Sequence, residues 1–85
     1  MSEKVEERTT EQIAQDYAAM SHSAELINAV IAGSQMANES AEDRQSCVDC
    51  NTQHLELMVA KTDWGSEDMT AVNAAISAGN EYTAS

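Results

Sequence analysis

The sequence predicts an all-α protein, an antiparallel helical hairpin plus a short third helix that together make a small helical bundle. Three observations predict it. Apolar residues recur at helical spacing in three separate stretches. The 85 residues contain no proline and only three glycines, each placed where a helix could end or a turn could sit. No alternating apolar run and no Asn-Gly or Asp-Gly pair marks a strand or a hairpin.

Residues 1–8 are charged and aperiodic apart from Val5, so they read as a flexible acidic leader to a single small helical domain over residues 9–85. Thr9 or Thr10 can cap the first helix, with Gln12 completing a capping box back to Thr9. Ile13, Tyr17, Met20, Ala24, Ile27 and Ile31 then follow at intervals of 4, 3, 4, 3 and 4. That stripe predicts a helix of about five turns, ended by Gly33 in a left-handed cap.

A second helix is expected from Ser34 or Ser40 to about Lys61. Cys47, Val48, Leu55, Met58 and Val59 share its broad apolar face, with Cys50, His54 and Leu57 along one flank. Residues 62–66 read as a turn. Ser66 is then the expected cap of the third helix, with Glu67 and Asp68 at the positive end of its dipole. Met69, Val72 and Ile76 form its stripe, and Gly79-Asn80 is expected to stop it. The predicted internal core is Ile13, Tyr17, Met20, Ile27, Ile31, Leu55, Met58, Val72 and Ile76. Tyr82 either folds back against the helix end or lies in a tail that docks elsewhere.

Charge narrows the function classes. Fifteen acids against four Lys and Arg give a net charge of −11. Direct nucleic-acid binding is disfavoured, because that affinity comes from cations displacing condensed counterions. An anionic membrane is disfavoured for the same reason, and no apolar run reaches the ~18 residues of a membrane span. A basic protein surface is the natural partner. The N-terminus lacks the basic and apolar regions of a secretion signal, and two cysteines make no disulfide framework. A cytoplasmic protein is the expectation.

Cys47, Cys50 and His54 form the sharpest chemical constellation. At i, i+3 and i+7 they lie near one helical face, where two thiolates and an imidazole could hold a soft metal. A structural zinc site wants a fourth ligand, and His22, the other histidine, falls opposite the first helix's apolar stripe. Buried cysteines more often pack as small hydrophobes. A redox pair would sit at a helix N-terminus, whereas Cys47 is interior and Asp49 stands between the thiols. Cys47 and His54 are roughly 10 Å apart along the axis, too far for a nucleophile and its base. The expectation is no metal, no cofactor and no catalysis. Glu42-Asp43 and Glu67-Asp68 agree with that, since adjacent residues point ~100° apart on a helix and make no carboxylate dyad.

Apolar residues outnumber what one core face needs. Leu26 and Val30 form a second side on the first helix, Leu57 does so on the second, and Trp64 stands in the turn. These four are the expected outward contact of a protein that self-associates or docks onto a larger one. With few aromatics and a short chain, burial against a partner would also add stability. The alternative is a decoy whose carboxylates imitate phosphates in a basic groove. Only Asp16, Glu25, Asp49 and Glu56 lie along the long helices, while nine of the fifteen acids cluster near expected helix starts, where the dipole favours them.

One stretch carries a family likeness. Ala60-Lys61-Thr62-Asp63-Trp64-Gly65-Ser66-Glu67-Asp68-Met69, continuing through Ala71-Val72-Asn73-Ala74-Ala75-Ile76, resembles helical segments of short uncharacterised tailed-phage proteins, over about 20 of the 85 residues. The resemblance implies a virion accessory part or a small inhibitor of host machinery, and brings no active site with it.

Overall fold

The computed structural model describes residues 8–84 and contains three helices: α1 (Thr10–Ala32), α2 (Ala41–Val59) and α3 (Thr70–Glu81). Each packs against the other two. They run up, down and up. Arg8 and Tyr17 at the start of α1 meet Asp63 and Asp68 between α2 and α3, and Val30 near the end of α1 lines one cleft with Arg44 and Tyr82. The all-α bundle expected from the periodicity is therefore present, with no strand among the described residues.

The ends of α1 follow from their residues. Gln12 N donates to Thr9 Oγ1 at 3.0 Å and Thr9 N donates to Gln12 Oε1 at 2.9 Å, a complete capping box. Gly33 takes φ 84°, which lets its N–H reach Val30 O at 3.1 Å and the Ser34 N–H reach Ala29 O at 3.0 Å. This is a Schellman closure, and a side chain at position 33 would strain it. α2 begins at the later of its two candidate caps, with Asp43 N donating to Ser40 Oγ at 3.1 Å. It ends at Val59, two residues short of Lys61.

α3 departs from expectation at both ends. Ser66 does not cap it; the helix starts at Thr70, and Asp68 Oδ1 accepts from Thr70 N at 2.9 Å instead. The chain needs residues 60–69 to turn and to seat Trp64 before a helix can begin. Gly79 does not stop α3 either. It lies inside the helix and is buried, because a Cβ there would fall on Thr52 Oγ1 and within 3.2 Å of Thr52 Cβ. Glycine at this position brings α2 and α3 together closely. The Thr52 hydroxyl, buried under that contact, has no hydrogen-bond partner.

Met20, Ile27, Val30, Val48, Leu55 and Val72 are the largest fully buried side chains. At roughly 1.5–3 kcal/mol each they dominate the apolar stabilisation. Ile13, Tyr17, Met58 and Ile76 from the predicted core are half-buried against them. Ile31 is a correction. It is exposed, and Val30 takes its place inside, because the buried face of α1 runs through Ser23, Ala24, Ile27 and Val30 and so lies to one side of the expected stripe. The leader reading also needs correcting at Arg8, which is tied into the domain; residues 1–7 lie outside the described residues.

Candidate interaction surface

α2 turns one face inward through Val48, Thr52 and Leu55. Leu57 lies two residues, hence about 200°, past Leu55 and points away from the core. It is 74% exposed, the most exposed large hydrophobic residue described. Cys50, Gln53 and His54 precede it at helical spacing and are exposed as well, so the four form a continuous outward stripe. Acids border it. Asp49 accepts a hydrogen bond from Gln45 Nε2 at 3.1 Å, and Glu56 accepts one from Asn80 Nδ2 at 3.1 Å.

The other three residues expected to face outward are placed differently. Val30 is 2% exposed and Trp64 8%, so neither is available to a partner, and Leu26 is half-buried against the core. α3 and the segment after it supply cover that the pattern of the hairpin alone does not reveal. Cys47, Cys50 and His54 are not gathered either. Cys47 packs half-buried against the core, with Asn51 Nδ2 donating to its carbonyl at 2.8 Å, whereas Cys50 and His54 face outward. Among the described residues, no group of three or more His, Cys, Asp or Glu is placed to hold a metal ion.

The densest polar cluster is one that sequence spacing did not reveal. Arg8 pairs with both oxygens of Asp63, its Nε–Oδ2 distance being 3.0 Å, and donates from Nη1 to Asp16 Oδ2 at 2.7 Å. Its guanidinium lies 4.4 Å from the Trp64 ring centroid. Such stacking over indole adds a cation–π attraction to the bidentate pair. Trp64 Nε1 donates to Met58 O at 2.9 Å, and the ring meets Tyr17 edge-on with centroids 6.4 Å apart. Tyr17 Oη in turn donates to Asp68 O at 2.6 Å.

The charges respond to this arrangement. The hydrogen bonds it donates to Asp63, then to Asp16, make the Arg8 guanidinium harder to deprotonate. The same bond holds the Asp63 carboxyl below the usual carboxylate range. Asp68 is lowered too, first by the Thr70 N–H and then by the Thr70 hydroxyl. These bonds lie within the chain and tie the bundle end together, with the Asp16 and Asp63 side chains still 38% and 42% exposed. One signal did stand in the sequence. An Arg directly before a helix cap faces the positive end of the dipole and needs carboxylates nearby.

No helix among the described residues is long and apolar enough to cross a membrane. Compared with protein-family models, curated proteins and solved structures, the chain matches none. The tailed-phage likeness of residues 60–79 thus rests on those residues alone.

Proposed function

We propose that this chain is a non-enzymatic, acidic helical interaction protein, an accessory subunit that docks onto a larger and basic partner, as a virion component would. The exposure of Leu57 carries the reading. In a bundle that buries Val30 and Trp64 and leaves Ile31 38% exposed, this large apolar side chain stays almost wholly in water on a polar and acidic face. Burying it would release roughly 1.5–3 kcal/mol, and the net charge of −11 steers a cationic surface toward it. Docking onto another protein fits better than self-association. Two copies would bring like charges together around little apolar area, whereas stable interfaces bury ~800 Å² per partner.

Site-specific photocrosslinking from position 57, with position 77 on α3 as control, tests the proposal in extracts of the cells that make the protein. A discrete adduct from position 57 alone, retained at about 0.5 M salt, is expected for an apolar contact inside a charged rim. An adduct from both positions that vanishes with salt would instead favour the acidic decoy. An adduct of twice the chain's mass would make the partner a second copy.

A further inference from the structure

Leu57 does not stand alone on the outer face of α2. Ser46, Cys50, Gln53 and Leu57 are all exposed and uncharged, and they follow one another at intervals of 4, 3 and 4. At about 100° per residue, that spacing keeps them within about 60° of one line. The line lies opposite Val48, Thr52 and Leu55 on the buried side. It has the seam spacing of one helix packing along another.

Acids line one flank of this seam. Glu42, Asp49 and Glu56, also exposed, recur every seven residues, so consecutive carboxylates stand roughly 10 Å apart along the axis. Gln45 and Asn80 steady two of them with neutral amides, which leaves the charge on Asp49 and Glu56 uncancelled. The opposite flank of α2 carries Asp43 at its start and His54 further along, with no acid after Asp43.

These features say what can cover the face. The main-chain groups of α2 are engaged inside the helix, so an extended peptide would find no backbone partners there. Side chains alone remain, and a second helix laid along the seam meets the most of them. The short side chains of Ser46 and Cys50 leave holes for large apolar residues, whereas Leu57 needs a small residue opposite. The carboxylates call for cations at their own seven-residue repeat. We propose that the outer face of α2 seats one amphipathic helix of the partner, with lysine or arginine at every seventh residue along a single flank. A second copy of α2 offers no such repeat, since its flanks carry Glu42, Asp49 and Glu56 on one side and Asp43 with His54 on the other. The proposal rests on the reading of Leu57 as a docking contact and names what the partner presents.

The test is titration of full-length protein into a fluorescently labelled, blocked peptide of three heptads, each Leu-Gln-Ala-Ala-Gln-Ala-Lys, followed by anisotropy. Its lysines form one flank of a leucine–alanine seam. An isomer with the last two residues of every heptad exchanged keeps composition and charge but points its lysines away from the seam. The first peptide should bind saturably and the isomer about tenfold more weakly, since exposed ion pairs are lost along the whole flank. Asp49→Asn and Glu56→Gln should each weaken binding about twofold, and Leu57→Ala about tenfold. Both acid variants keep an amide oxygen to accept from Gln45 and Asn80. Glu25→Gln, at an exposed acid of α1, should have no effect.

Equal binding of the two peptides would reduce the attraction to diffuse charge and overturn the proposal. So would a loss in Glu25→Gln as large as in Asp49→Asn and Glu56→Gln, or a wild type whose α2 face is closed by a second copy. A loss in Leu57→Ala with none in the two acid variants would keep the docking face and reject the basic helix. No loss in any variant would reject both. A first peptide that never saturates would also overturn the proposal, while the photocrosslinks from position 57 judge the docking face independently.

Discussion

The two ends of this bundle are held by different physics. Where α1 starts and α3 starts, a cation bridges two carboxylates and stacks on an indole, so that Arg8, Asp16, Asp63 and Trp64 join residues more than fifty positions apart. Where α1 ends and α3 ends, the contacts described include a Gln amide on two backbone groups, the Arg44 guanidinium on Glu39 O, and a glycine pressed against a threonine. The difference teaches that acid acts through the carboxylates of the first end, whereas volume and shape weigh more at the second. A single stability number would conceal this.

The largest expected effect comes from breaking the charged end at its apolar centre. Trp64→Ala removes the stack on Arg8, the edge contact with Tyr17 and the bond to Met58 O, and should cost about 3–5 kcal/mol in urea unfolding. A small domain has little more than that in reserve. Next, the second end is broken by Gly79→Ala. Its methyl meets Thr52, so the change should cost about 1–3 kcal/mol despite alanine's better helix propensity. Thr52→Ala combined with Gly79→Ala should recover most of that loss. Additive losses in the double mutant would mean that the close approach is not what positions the glycine.

Acid sharpens the comparison. Asp63 is lowered in the folded state from the ordinary value of 3.8, so its contribution is complete above that pH and is lost as pH falls through the lowered value. Arg8 is raised, so its charge persists through the same window. Circular dichroism between neutral and strongly acidic pH should show melting temperature falling at the acid limit, with Arg8→Gln flattening that limb. Asp68 should keep a residual slope in the variant, because Thr70 rather than Arg8 lowers it. Gly79→Ala should shift the whole profile without changing its shape. Smallest is Thr52→Val, which removes an unpartnered buried hydroxyl and keeps the volume; it should be neutral or stabilising by up to about 1 kcal/mol. A clear loss would show that the hydroxyl has a partner in solution.

What could be read from the sequence was what short-range periodicity encodes. The bounds of α1 were legible, since capping box and Gly33 lie within one stretch of chain, while its buried face runs through Val30 and not Ile31. Ser40 competed with Ser34 as the start of α2 because both are caps by composition, and tertiary contact chose between them. Gly79 was misread because a glycine that ends a helix and one that admits a neighbouring helix look alike until the neighbour is known. The same reason put Val30 and Trp64 on the outside: their cover comes from segments far along the chain. Arg8 was hidden by its neighbours, a charged stretch with no period. Leu57 was the part of the candidate surface that could be read, because its orientation depends on its own helix alone.

The way the helices are closed also has a kinetic side. α1 carries side-chain and glycine closures at its two ends and α2 a serine at its start, while α3 begins at Thr70, after ten residues of connection, with Met69 making no side-chain cap bond and only the Asp68 carboxylate on the Thr70 N–H. A helix of 12 residues so closed has little helicity of its own and persists by being packed. Its amides should therefore exchange with deuterium through a sub-global opening, before those of α1 and α2. Since Tyr82–Ala84 continue from its end, each such opening would free the segment that lies beside Gln45. How often α3 breathes would then set how often that end of the molecule comes apart.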